Sequence, residues 1–261
     1  MINAAIMALA GVVCRPHSNG AFHQHAFGAA RGVDDLRHGL RSQSLRAHDA
    51  PDLSRPRADA IQACASQVPG AIIQRMQTIA FMLWRRLGTP GHDVCRLDRN
   101  GENWQIDGAA AFRNEDGRIA QLHYRVRCDR AWHTQWGTVR GWLGNEAIDL
   151  SIVRDAHGGW KLNDEAVPEL GHCVDLDLGF TPATNLLALR RLHLATGEAS
   201  DAPAAWLDLD TSSLTELKQH YERRGEAEYW YTAPRFDYAA MLEVTSDGFV
   251  RRYPTLWEAE A

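Results

Sequence analysis

The chain has 261 residues, with 28 Lys+Arg against 33 Asp+Glu and a formal net charge of −5. That acidic balance excludes recruitment of nucleic acid by bulk positive charge. A hydrophobic fraction of 45% excludes a wholly disordered chain, and no stretch approaches the roughly 18 apolar residues that a membrane-spanning helix needs.

Composition changes sharply near residue 75. All nine Trp, all six Tyr and both Lys follow it, and Phe22 and Phe27 are the only aromatics before it. Residues 1–75 carry eight Arg and five Asp, a charge of +3, which leaves −8 on the remaining 186 residues. A segment with so little aromatic or periodic apolar content buries too little surface to offset its ordering entropy. Residues 1–75 are therefore expected to be a disordered or loosely attached extension, and 76–261 one domain. A domain of that size buries about 70% of its unfolded surface and needs no covalent staples.

The opening run MINAAIMALAGVVC has the apolar length of a signal peptide. No Lys or Arg precedes it, and Val12 and Val13 are poor small residues ahead of Cys14. The expectation is a cytoplasmic protein, with periplasmic export as the alternative. A translation start at Met76 or Met82 accounts for the compositional break equally well. The five cysteines, at 14, 64, 95, 128 and 173, contain no Cys-x-x-Cys pair. Neither a disulfide framework nor a zinc ribbon fits, and reduced, partly buried thiols are expected.

Strand patterning dominates after residue 80, and from Ala120 to Cys128 it has a clean period of two. Leu122, Tyr124, Val126 and Cys128 alternate with Gln121, His123, Arg125 and Arg127. Trp132, Trp136 and Trp142 fall on one parity of the next predicted strand. Ile148, Leu150 and Ile152 repeat the alternation, Asp155–Gly159 turns the chain, and Trp160 and Leu162 begin the return. Val174, Leu176 and Leu178 then alternate with Cys173, Asp175 and Asp177. Residues 213–223 fit a helix through Leu214, Leu217 and Tyr221, and equally a strand. Phe236, Tyr238, Ala240, Leu242 and Val244 form a long alternation that Ser246-Asp-Gly248 ends as a hairpin turn.

No βαβ rhythm occurs. The predicted fold is mainly β, an antiparallel roll or open barrel with few short helices, because many one-faced strands must close on themselves to hide their apolar side. The tryptophans either fill that core or line a cavity within it.

The densest chemistry lies in DLDLGFTPATNLLALRRL at 175–192. On a strand Asp175 and Asp177 share a face, with Cα atoms about 7 Å apart. Such a pair does acid/base work, holds a cation, or sits solvated. Gly179, Pro182 and Asn185 mark a loop, with Thr181 and Thr184 as local backbone partners. Arg190 and Arg191, if on a strand, point to opposite faces, so one at most reaches inside; it binds a head group or pairs with a nearby Asp. His92-Asp-x-Cys95 brings a His near a Cys in sequence, but a nucleophile pair has to meet in space. No Gly-x-Ser-x-Gly, phosphate loop or dinucleotide fingerprint occurs.

The 175–192 run resembles the bacterial glycolipid-binding family, formerly a domain of unknown function. So do AAWL at 204–207, QHY at 219–221, YWY at 229–231, VRRYPTLW at 250–257, HDVCRL at 92–97, LHYRVRCD at 122–129, and Trp132. The resemblance covers about residues 80–257. This chain departs from the family pattern at Ala188, where Pro is usual, and at Asp93, where Glu is usual. The resemblance implies a spiral β-roll like the periplasmic lipoprotein carriers, with a groove or cavity between a curved sheet and its cover. It implies no catalytic residues, metal or cofactor. By resemblance the ligand-binding candidates are His92, Arg96, Asp175, Asp177, Thr184, Asn185, Arg190 and Tyr221.

Three functions follow as expectations. The first is a non-enzymatic protein holding an amphiphile, a glycolipid or other lipid, in the roll. The second is a hydrolase-type enzyme using Asp175, Asp177 and His92. The third is a packed interaction module without a ligand.

Overall fold

The computed structural model describes residues 76–260. The expected extension at 1–75, with Cys14, Cys64 and the signal-like run, lies outside the described residues.

The described residues open with an antiparallel meander of eight strands. They are β1 (Met76–Arg86), β2 (Gly91–Asn100), β3 (Asn103–Arg113), β4 (Ile119–Cys128), β5 (Thr134–Leu143), β6 (Glu146–Arg154), β7 (Trp160–Leu162) and β8 (Glu165–Val167). After β9 (Asp175–Asp177) comes helix α1 (Asn185–Leu192), then β10 (Ala199–Asp201), β11 (Ala204–Asp208), β12 (Ser213–Leu217) and β13 (His220–Arg223). The last four strands are β14 (Glu228–Ala233), β15 (Tyr238–Val244), β16 (Val250–Tyr253) and β17 (Trp257–Ala259). A 14-stranded sheet runs in the order β10-β13-β14-β15-β16-β17-β1 and then β2 through β8. Its ends do not meet, so the sheet is an open antiparallel roll rather than a closed barrel. A second sheet of three strands, β12-β11-β9, has β9 parallel to β11.

The alternation that predicted the strands also decides which face they bury. On β4 the side chains of Ala120, Leu122, Tyr124, Val126 and Cys128 are buried, and the intervening Gln121, His123 and Arg125 are exposed. The strand through Ile148–Ile152, the Asp155–Gly159 turn and the return at Trp160 follow the same expectation. The turn after β15 closes through Gly248 at φ 95°, a conformation open to glycine at little cost.

Helix α1 lies within the roll. Every residue from Thr181 to Leu189 is buried, so the first five residues of α1 meet protein on every side. Leu186 and Leu187 join a core built mainly from β1–β7, and Ala188 and Leu189 join a second core built from β13–β16. The helix thus separates two packed regions.

The structure settles two readings left conditional or open and corrects two others. Arg190 and Arg191 lie on the last turn of α1, not on a strand. Leu and Ala are strong helix formers, and the five residues Asn185–Leu189 are all buried, too short a run to show a polar stripe that would reveal its period. Residues 213–223 resolve into strands β12 and β13, which belong to different sheets. Trp132 sits in a turn at φ 68° with its ring buried, whereas Trp136 and Trp142 project from the outer face of β5; the register shift at Arg127/Cys128 breaks the shared parity. Residues Pro234–Phe236 form a turn of 3-10 helix, so β15 starts at Tyr238.

Candidate functional site

Six of the eight candidates gather around α1: Asp175, Asp177, Thr184, Asn185, Arg190 and Tyr221. Thr184 precedes the helix, and its hydroxyl accepts the backbone N–H of Leu178 at 3.2 Å, tying the helix start to the end of β9. On the helix itself, the Asn185 amide donates to the Tyr221 hydroxyl at 2.9 Å. That hydroxyl donates in turn to the Gln219 carbonyl oxygen at 3.4 Å, and the Gln219 amide donates to Asp177 at 2.6 Å. Asn185, Tyr221, Gln219 and Asp177 therefore form one hydrogen-bonded chain from α1 through β13 to β9. Burial raises the Asp177 carboxyl to about 6, against the Gln219 and Gly179 hydrogen bonds that favour its ionised form.

Aromatic rings enclose one end of this chain. Tyr221 and Tyr231 lie 4.9 Å apart, Tyr231 and Tyr253 5.6 Å, and Tyr238 and Tyr253 5.3 Å. Burial pushes the Tyr221, Tyr231 and Tyr253 phenols well above their ordinary range, so they stay protonated as hydrogen-bonding groups.

Asp175, two residues before Asp177 on the same face of β9, has a different partner. Arg191 grips it with a two-pronged contact, Nε to Oδ1 at 3.0 Å and Nη2 to Oδ2 at 2.6 Å. Burial works to raise this carboxyl and the guanidinium opposes it. Arg190 instead stacks over Trp132 at 5.3 Å, Trp132 stacks on Trp104 at 4.5 Å, and Arg99 lies over Trp104 at 5.5 Å. Of the adjacent arginines, one neutralises a buried acid and the other closes an aromatic stack.

His92 and Arg96 are not part of this assembly. On β2 the inward side chains are Asp93 and Cys95; His92 and Arg96 point to the outer face. His92 meets Glu260 at 3.4 Å, and Arg96 meets Asp98 at 2.8 Å. The trio Asp175, Asp177 and His92 is therefore split across the large sheet and forms no joint acid/base centre.

Sequence reasoning missed Asp93. Its carboxylate is fully buried and accepts hydrogen bonds from the Tyr124 hydroxyl at 2.9 Å and from the Thr181 hydroxyl. Burial raises Asp93 to about 7. Gly108 makes room for the Tyr124 ring, since a Cβ there would lie 2.2 Å from it. This cluster latches the loop before α1 to β2 and β4. The available signal was an acid on the inward parity of an apolar strand, obscured by attention to its His and Cys neighbours.

The one Cys–His contact among the described residues, Cys173 with His172, lacks the geometry of a nucleophile pair. Cys173 lies 3.7 Å from His172 Nε2, but the same nitrogen meets Glu216 at 2.9 Å, and burial pushes the thiol up to about 12. A base needs its two ring nitrogens shared between nucleophile and orienting acid. Cys95, Cys128 and Cys173 are all buried free thiols. Among the described residues no cluster of three or more His, Cys, Asp or Glu is placed to hold a metal, and no helix is long and apolar enough to cross a membrane.

The residues of α1 from Asn185 to Leu189 are buried against both cores. A surface depression of about 350 Å³ lies at the β14–β16 turns, lined by Ala227, Glu228, Glu243, Val244, Thr245 and Arg251. A cleft of about 30 Å³ opens where Phe112 and Leu143 of the large sheet face Gly179, Phe180 and Leu209 of the cover, with Arg86 on its rim.

Comparison with known proteins gives two matches. A family model described as "Putative glycolipid-binding" matches residues 81–259. The crystal structure of a DUF1089-family protein from Pseudomonas aeruginosa is similar at 27% identity and a TM-score of 0.58, covering 64% of this chain and 91% of that one. No curated protein matches the chain.

Proposed function

The chain belongs to the glycolipid-binding family, and from that premise we propose that it holds a single amphiphile with an uncharged, hydroxyl-rich head group. The observation that carries this reading is the buried chain Asn185–Tyr221–Gln219–Asp177 beside the rings of Tyr231, Tyr238 and Tyr253. Amides and phenols both donate and accept, which suits sugar hydroxyls, and tyrosine rings offer apolar faces with a polar tip. Leu189, Leu217 and Leu242 of the same core supply the surface for an acyl chain. Binding requires the cover of β9, α1, β11 and β12 to part from the large sheet along this seam. The head group then replaces hydrogen bonds that the side chains make with one another. Of the sequence candidates, Asp177, Asn185 and Tyr221 meet the head group directly, Thr184, Asp175 and Arg190 hold the helix that presents it, and His92 and Arg96 stay outside. The same reading makes the protein non-enzymatic and places it in the cytoplasm, where its buried thiols remain reduced.

One observation favours a second reading, a packed interaction module. Every residue from Thr181 to Leu189 is buried, and the 350 Å³ depression contains none of the eight candidates. Native mass spectrometry of the full-length protein, purified without detergent and then extracted with organic solvent, separates the two readings. A discrete co-purifying lipid is expected. A mass that stays bare after incubation with mixed lipids would favour the packed module.

A further inference from the structure

All nine exposed large hydrophobic side chains among the described residues fall between Met76 and Val153, and none in residues 154–260. Four of them form one patch. Ile79, Phe81 and Leu83 project from the outer face of β1, and Val94 is the direct cross-strand partner of Leu83 on β2. Phe81 is 70% exposed. Beside the patch, β3 contributes only the small Ala109 and Ala111, opposite Val94 and His92. Further across the sheet, on β5, Trp142 is 40% exposed and donates its indole N–H to Gln121 at 3.2 Å. Five adjacent strands span about 19 Å. The face is thus broad, with aliphatic and phenyl groups at one side and an amphipathic indole at the other.

We infer that this outer face of β1–β5 docks onto the interface of an electrically neutral lipid bilayer. The inference rests on the lipid-binding reading, because a protein that collects an amphiphile has to meet the membrane that supplies it. Charge selects the partner. Arg96 is paired with Asp98, Arg85 with Glu258, Arg125 with Asp107 and Arg140 with Asp149. Arg113 and Arg127 have no carboxylate partner among the described residues, but they stand at opposite ends of the β3–β4 ladder. The face therefore gathers no cluster of free cations for an anionic surface or an acidic protein to recognise, and apolar burial with the interfacial preference of Trp supplies the attraction. The alternative occupant, a second copy adding its strand to β1, is disfavoured by the edge itself. β17 pairs with β1 only through Trp84–Arg86, but a register shift between Thr78 and Ala80 disrupts the ladder along the free part. Bulges of this kind make an edge a poor template for strand addition.

Flotation of the full-length protein with phosphatidylcholine vesicles tests the inference. Wild type is expected to float with them equally at low and high salt. The double variant Phe81→Ser/Leu83→Ser should bind about tenfold or more weakly, and Phe81→Leu should retain binding. Both side chains are exposed, so an unchanged melting curve will show that the double variant is folded. Three results would overturn the inference: no flotation of wild type, flotation only with phosphatidylglycerol-containing vesicles and lost in salt, or a dimer that Phe81→Ser dissociates without any vesicle binding. Loss of flotation while lipid still co-purifies removes the docking surface alone. Flotation of a protein with a bare native mass removes the lipid-holding reading instead.

Discussion

The two cores beside α1 bury different chemistry. On the meander side, Leu122, Val126, Ile152 and Trp160 belong to an apolar core, and an acid latch of Asp93 with Tyr124 and Thr181 ties it to the loop before α1. On the other side, Tyr221, Tyr229, Tyr231 and Tyr238 bring four phenols into a smaller core, joined by Asn185, Gln219 and Asp177. Aliphatic packing of the first kind gains stability from every methylene it hides. A hydrogen-bonded core of the second kind gains little net stability, because each internal bond replaces one to water. The first region holds the roll together, and the second carries groups whose partners can be exchanged for a ligand.

The strongest challenge to this contrast is Arg191→Ala, which leaves Asp175 buried without its cation. Urea unfolding should show a loss of about 3–5 kcal/mol. The double variant Asp175→Asn/Arg191→Met should lose clearly less, since no buried charge is stranded. Leu122→Ala in the meander core should cost about 2–5 kcal/mol by the same measurement, while leaving lipid occupancy in the surviving folded fraction unchanged.

The acid latch gives a pH signature. Burial holds the Asp93 carboxyl at about 7 against an ordinary 3.8. The folded state keeps a proton that the unfolded chain releases, so the associated stability is complete below 3.8 and is lost as pH rises through 7. Asp177, raised to about 6, acts with the same sign over a narrower window. Between pH 4 and 7, stability should fall more steeply in wild type than in Asp93→Asn. The difference in slope should approach about 1.4 kcal/mol per pH unit where the two states differ by a whole proton. Parallel profiles would mean that Asp93 titrates normally.

Tyr221→Phe deletes one hydroxyl from the seam and should cost about 1 kcal/mol. Removing residues 1–75 should have the smallest effect, leaving the melting temperature nearly unchanged. A fall of about 10 °C or more would show that this segment is packed against the domain.

Strands were legible wherever one face meets water. The β4 pattern of Leu122, Tyr124, Val126 and Cys128 reads directly as one buried face, because exposed residues separate the buried ones. Helix α1 was not legible for the opposite reason: with Leu186, Leu187, Ala188 and Leu189 all buried, no contrast survives to reveal a period of 3.6. The candidates at 175–192 emerged from the density of polar groups and from the family resemblance. Their sorting did not, since Asp175 to Arg191, Asp177 to Gln219 and Arg190 to Trp132 are contacts set by the fold. Gln219 was seen only as part of a motif; its bond to Asp177 spans 42 residues, a separation over which local patterning carries no information.

Native mass spectrometry of full-length wild type and Tyr221→Phe, purified in parallel without detergent, compares their lipid occupancy and so tests whether the tyrosine-lined seam holds the head group. A discrete bound amphiphile is expected in wild type, and a largely bare variant whose melting curve stays close to that of wild type. Equal loading of the two proteins, or two bare masses, would contradict the assignment of the head-group site to the tyrosine-lined seam.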